Sequence, residues 1–307
     1  MPASTESRAT ARRLLEAGDA HDPRVHSHGH GWSRNDMLLS EILDVVDQGD
    51  DVWLGRGPTY PWGGLYGGQI VAQALMAAGR AVDDDALVVH SLRAYFIRRG
   101  DQHQPVRYEV DRIRDGRSFC TRRVVARQEG RVILNLEASF QRLEESPDIE
   151  AVTLEPALPR PDQLPEQSWS PVFERASIPA DDAPPRLGGG RAAAWMRCVE
   201  RLADEPLVQA AAFAYLSDDL PTEAVVRSHP LGELEEEQLW AAMFSASLDH
   251  TIWFHRPGRA DAWHLHDFAC HSFTGARGLG LGHLHAADGS HIATVAQEVL
   301  LRDNRGR

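Results

Sequence analysis

The sequence predicts an α+β protein built twice over, in which each copy wraps an antiparallel sheet around one long helix and the two copies are fused in a single chain. Three observations carry this. A chain of 307 residues exceeds what one hydrophobic core usually supports. In the first half a helical period gives way to four strand-like segments joined by hairpin turns, the signature of a helix covered by a meandering sheet. In the second half three blocks recur in the same order as in the first.

Residues 1–35 carry Ser, Arg, Asp and Gly with no helical or strand period and read as a flexible N-terminal extension. His26, His28 and His30 alternate there, but no Cys or carboxylate stands beside them at zinc-site spacing, so a solvated tail is expected and no metal. The extension lacks the apolar stretch of a secretory signal. The first domain is expected over 36–145. Met37, Leu38, Ile42, Val45 and Val46 fall on one face of a short opening helix, and Val52 to Leu54 then form a strand. After the Gly- and Pro-rich stretch PTYPWGGLYGGQ, a long helix begins at Gly68-Gln69, with Ile70, Ala74, Leu75 and Ala78 at helical spacing. The strands follow at 88–98, 106–116, 118–130 and 131–142, with Asp115-Gly116 and Glu129-Gly130 as turns.

Between 146 and 190, nine prolines and a triglycine leave no long periodic segment, which predicts an extended surface crossover between the halves. The second domain is expected over 191–307. Arg191 to Leu220 repeats the apolar helix, SASLDHTIWFHRPG repeats VVHSLRAYFIRRG, and ADGSHIATVAQEVLLR repeats QEGRVILNLEASFQR.

A fused duplicate mimics a homodimer with its pocket between the copies, which turns attention to polar residues stranded in apolar stretches. Asp218 closes an Ala-rich helix, where a carboxylate gains nothing from that helix's dipole; read locally, Asp218 or Asp219 simply caps the next turn. Gln297 lies on the apolar side of its strand, where the first copy has Ala138, and Ser247 stands where the first copy has Val89. Such positions fit either a site kept in one half or an amide and a hydroxyl satisfied by the backbone. No G-x-S-x-G elbow surrounds Ser247, and His250 and His255 read as structural histidines.

YGGQIVAQAL, VHSLRAYFIRRGD, YEVDRIRDGRSFCTRRVVARQEG, LEASFQ, LSDD, LDHTIWFHRP and ATVAQEVLLR, taken in order, resemble the bacterial type II acyl-CoA thioesterases, the TesB-like family. The resemblance covers residues 36–145 and 191–304 and implies a double hotdog fold. It also implies a catalytic water held by an Asp, a hydroxyl residue and a Gln, which fall on Asp218 in YLSD, Ser247 before DHTIWFHRP and Gln297 in the VAQE strand. Ser247 stands where relatives often carry Thr, which keeps the hydroxyl and loses a methyl. The implied reaction is hydrolysis of acyl-CoA by direct attack of water, with Asp218 as general base and no covalent acyl-enzyme. Arg93, Arg98, Arg99 and Arg256 are candidates for the CoA phosphates, or are ordinary solvated arginines. Two other readings stay open: a hotdog hydratase or dehydratase, and a non-catalytic acyl-CoA-binding protein.

Composition narrows the field. A net charge of −13, with basic residues only in short pairs, argues against nucleic acid as a partner. Three scattered cysteines, Cys120, Cys198 and Cys270, argue against a disulfide framework and for a reducing, cytoplasmic compartment. No apolar run approaches the roughly 20 residues of a membrane span. No cofactor is expected, and association into homo-oligomers through sheet edges is an expectation from the family alone.

Overall fold

The computed structural model describes residues 37–185 and 189–305; the predicted extension with its three histidines lies outside them. The first half runs α1 (Leu39–Leu43), β1 (Val46–Asp47), β2 (Val52–Gly55), α2 (Gly67–Arg80), β3 (Leu87–Phe96), β4 (Val106–Asp115), β5 (Phe119–Gln128) and β6 (Arg131–Arg142). The second contributes β7 (Phe173–Ser177), β8 (Arg191–Cys198), α3 (Pro206–Leu216), α4 (Leu220–Val226), α5 (Glu236–Ala242), β9 (Met243–Ser247), β10 (Asp249–Phe254), β11 (His264–Thr274), β12 (Arg277–Ala286) and β13 (His291–Asp303). Among the described residues all the strands join one antiparallel sheet in the order β1-β2-β4-β5-β6-β3-β10-β13-β12-β11-β8-β7, with β9 continuing along β13. The seam between the halves is the β3–β10 pair, in which His250 faces Ala94 and Ile252 faces Leu92.

The sheet curls around α2 and α3, and their sequences explain why they are the central helices. Every residue of α2 from Gly68 to Ala78 is buried, and α3 is buried from Gln209 to Leu216. A helix apolar on all sides has no face for water and is stable only when enclosed. The two run antiparallel: a Cβ on Gly68 would collide with the Tyr215 carbonyl, and one on Gly79 with the Leu207 side chain. One continuous core of buried side chains reaches from Leu39 in the first half to Val295 in the second. This is the arrangement that the resemblance implies.

Three stretches differ from expectation. The opening helix, expected to carry Leu38, Val45 and Val46 on one face with Ile42, ends at Leu43; Val46 begins strand β1, and the Leu38 and Val46 side chains are exposed. RAAAWMRC, read as part of the second helix, forms strand β8, and the helix starts only at Pro206. Seven of the eight residues of β8 are buried, so the strand is covered on both faces and its sequence lacks the alternation that marks a strand. Within the Pro-rich crossover, β7 pairs with β8, and Leu158, Ile178 and Ala183 pack with Trp195 and Leu265 in a core of their own. The Trp195 indole N–H donates to the Pro159 carbonyl at 2.9 Å.

Candidate active site

Asp218 follows the C-terminal end of α3, yet it meets the N-terminal end of α2. Its carboxylate accepts the Gly68 N–H, and a Cβ on Gly67 would come within 2.5 Å of Oδ2. The charge that its own helix disfavours is therefore satisfied by the positive end of the neighbouring one. Glycine is a poor helix residue, disfavoured by about 1 kcal/mol against alanine. The pair at the start of α2 is explained by this approach of a carboxylate and of the Tyr215 carbonyl.

Ser247 ends β9 and Gln297 lies two residues before its ladder partner Val299 on β13, so the two side chains meet on the inner face. The Ser247 hydroxyl donates to Asp218 Oδ1 at 3.2 Å and accepts from Gln297 Nε2 at 2.8 Å. Gln297 also donates to Asp218. The three residues picked out in the sequence thus form one closed set of hydrogen bonds, with Gln297 fully buried and Asp218 7% exposed. Burial pushes the Asp218 carboxyl up to about 7, against the hydrogen bonds from Gln297, Gly68 and Ser247, which pull it down.

Behind this set stands His250, which the sequence offered only as a structural histidine. Its Nδ1 lies 2.5 Å from Gln297 Oε1 and its Nε2 lies 2.9 Å from Ser217 Oγ. Burial draws the ring down to about 4, with Gln297 and Asp249 acting in the opposite sense, so it is neutral. Asp249, one residue away, points to the other face, where it meets Arg93 and accepts the Glu298 N–H. The alternation of a strand therefore separates Asp249 and His250, and they do not form the acid and histidine pair that a hydratase needs.

Asp219, which the sequence could not tell apart from Asp218, is tied elsewhere. Trp169 Nε1 donates to its Oδ1 at 2.5 Å and Arg175 Nη1 to its Oδ2 at 2.9 Å, both from the crossover segment. Burial raises its carboxyl and Arg175 opposes the rise. Next to Asp218 the walls are aromatic: Tyr66 packs edge-on to Tyr215 at 5.1 Å and to Trp169 at 5.2 Å, and Tyr60 stacks on Trp62.

The four candidate arginines do not gather. Arg93 pairs with Asp249 and lies over the Tyr95 ring, while Arg256 is held by Asp148 and Glu150. Arg98 and Arg99 line a common pocket of about 110 Å³ with Arg131, and the pocket also holds Asp101 and Glu129. Arg99 donates to the Trp62 carbonyl, which links that pocket to the aromatic wall. Among the described residues no cluster of His, Cys, Asp and Glu could hold a metal ion.

Two family models match the chain: an acyl-CoA thioesterase N-terminal domain over residues 56–141 and an acyl-CoA thioesterase C-terminal domain over 150–301. The chain is 33% identical to acyl-coenzyme A thioesterase 8 of Mus musculus, over 93% of this chain and 95% of that protein. It is 30% identical to acyl-CoA thioesterase 2 of Haemophilus influenzae, over 87% of this chain and 95% of that one. Among solved structures, an acyl-CoA thioesterase II from Mycobacterium marinum superposes with a TM-score of 0.76 at 34% identity, covering 88% of this chain and 99% of that one.

Proposed function

The chain belongs to the acyl-CoA thioesterase family and is an acyl-CoA thioester hydrolase, and from that premise we propose that Asp218, Ser247 and Gln297 hold the water that attacks the thioester. The carrying observation is their convergence, with Ser247 Oγ 3.2 Å from Asp218 Oδ1 and 2.8 Å from Gln297 Nε2. A thioester carbonyl is electrophilic enough to be attacked by a well-placed water once a base takes its proton. The water oxygen bonds to the carbonyl carbon as its proton passes to Asp218. The tetrahedral adduct then collapses, the C–S bond breaks, and the CoA thiolate leaves with the fatty acid as the other product. A base with its proton affinity near neutrality suits the transfer, and a value of about 7 meets that demand. Ser247 and Gln297 aim the water, which removes the orientational part of the barrier. The positive end of α2 lies beside the site and favours the oxyanion that develops on the carbonyl.

No acyl-enzyme is required, because each of the three side chains acts on the water. Of the four arginines, Arg98 and Arg99 are the ones we assign to the CoA phosphates, since Arg93 and Arg256 already carry carboxylate partners. The three cysteines are free and buried, which fits a reducing, cytoplasmic setting. No helix among the described residues is long and apolar enough to cross a membrane.

Thiol release from acyl-CoAs of several chain lengths, followed with a chromogenic disulfide, tests the assignment. Asp218→Ala is expected to lower kcat on the order of 10² to 10⁴-fold, the usual contribution of a general base, with KM changed far less. An Asp218→Ala enzyme with the parent's kcat sinks the assignment.

A further inference from the structure

We propose that His250 is a positioning residue for hydrolysis: its Nδ1–H donates to Gln297 Oε1 and so fixes the amide with its nitrogen turned toward Ser247 and Asp218. The inference rests on the reading of Asp218, Ser247 and Gln297 as the groups that hold the water.

The two ends of a glutamine amide have the same shape, so packing alone does not choose between them. Turned the wrong way, Gln297 would set its oxygen against the Asp218 carboxylate and leave Ser247 without its donor. An ionised Asp218 disfavours that orientation by itself. During turnover, however, Asp218 takes up a proton, and its preference for the amide nitrogen weakens at the moment when the geometry has to persist. A donor on the far side of the amide holds the orientation in both states.

His250 is built to be that donor. The ring is fully buried and neutral, so it carries a single N–H. Ser217 Oγ sits 2.9 Å from Nε2, and its one proton can go there or to the Ala214 carbonyl at 3.3 Å. With the Ser217 proton on Nε2, the ring proton lies on Nδ1 and every contact is a donor facing an acceptor. In the other tautomer the Nδ1 lone pair would face Gln297 Oε1 at 2.5 Å, two acceptors in contact, until the amide turned over. Ser217, directly before Asp218, thus sets the ring and the ring sets the amide.

The first half gives independent support. Ala138, the counterpart of Gln297, pairs with Leu92 in the β3–β6 ladder, and His250 falls opposite Gln297 one step beyond the Thr251–Ala296 pair of the β10–β13 ladder. The copy without the glutamine has no histidine in the matching place, as expected if the ring serves the amide.

The test compares thiol-release kinetics of His250→Asn, His250→Gln, Ser217→Ala and Asp218→Ala in the full chain. Asparagine carries an amide nitrogen where Nδ1 stood, whereas glutamine reaches toward Ser217. His250→Gln is expected to lose kcat on the order of 10- to 100-fold with KM within a few-fold, as typical for a supporting partner of a catalytic group. His250→Asn regains roughly ten-fold of that loss, and Ser217→Ala lowers kcat by at least several-fold. Equal kcat for His250→Asn and His250→Gln, or parent kcat in His250→Gln, overturns the proposal while an inactive Asp218→Ala leaves the water-holding trio standing. A fully active Asp218→Ala removes the trio itself. Long-range ¹H–¹⁵N correlation of the parent enzyme reads the tautomer without any His250 variant having to fold: a neutral Nδ1–H ring is expected, and protonation at Nε2 in the parent overturns the proposal.

Discussion

Asp218 has its proton affinity raised from the ordinary 3.8 to about 7, chiefly by burial, and the shift acts on rate and stability in opposite directions. Between about pH 4 and 7 the native state binds this proton more tightly than the unfolded chain does. The stabilisation it brings is therefore complete below about pH 4, declines as pH rises, and is gone above about pH 7. Asp218→Asn carries no such dependence and is expected to melt above the parent at pH 8, with the gap closing toward pH 4; about 4 kcal/mol is its upper bound. Thermal unfolding at the two pH values checks it, and equal melting temperatures at pH 8 count against the buried charge. With Asp218 as the proposed base, the parent's kcat/KM is expected to run the other way, rising with pH to half its plateau near pH 7, because only the carboxylate accepts a proton. Little of this was legible at Asp218 itself. Two adjacent aspartates before a proline read equally well as turn caps, and what separates them is Trp169 and Arg175, 50 and 44 residues upstream of Asp219 in a segment with no period of its own. Ser247 and Gln297 were easier, since each stands where the other copy keeps an apolar residue. His250 was missed because a histidine on an apolar face is unremarkable until its two nitrogens are seen to be bonded.

At the scale of elements, the contact between the start of α2 and the end of α3 fixes the distance at which Asp218 works. Gly67 and Gly68 serve different purposes there, and substitution separates them. A methyl at Gly68 meets the Tyr215 carbonyl, which is backbone and cannot swing aside. Gly68→Ala is therefore expected to destabilise the protein by about 1–3 kcal/mol through forced separation of the helices, seen as a lower urea midpoint with an unchanged m-value. A methyl at Gly67 meets the movable ends of Asp218 and Phe96 instead. Gly67→Ala should leave the midpoint nearer to that of the parent and lower kcat by displacing the carboxylate. If Gly67→Ala proves the more destabilising of the two, the assignment of these glycines is reversed. The long helix and the hairpins of the first half were readable within a residue or two, because small residues at helical spacing and Asp-Gly and Glu-Gly turns each have a local cause, whereas the opening helix stops at Leu43, short of the Val45 and Val46 expected on its face. Strand β8 was not, since a segment buried on both faces loses the period that distinguishes strand from helix.

Across the whole molecule the duplication was plain in the sequence, and the structure adds that its two ends are unequal. Counted from the first residue of each helix, Gly79 stands where Asp218 stands, and Leu207 stands where Gly68 stands. At that second end the leucine side chain fills the space that a Cβ on Gly79 would need, and Val89, Leu92 and Ala138 replace the polar residues around it. The chain is therefore expected to bind one acyl-CoA and not two. Calorimetric titration with a non-hydrolysable thioether analogue checks this, and two equal sites per chain would contradict it. Fusion is what makes such inequality attainable. In a dimer of identical chains every substitution is written twice, so a residue that suits one end of the helix pair is imposed on the other. Once the copies share a chain, each end answers for itself, and the leucine that would have blocked a site at one end can seal the core at the other.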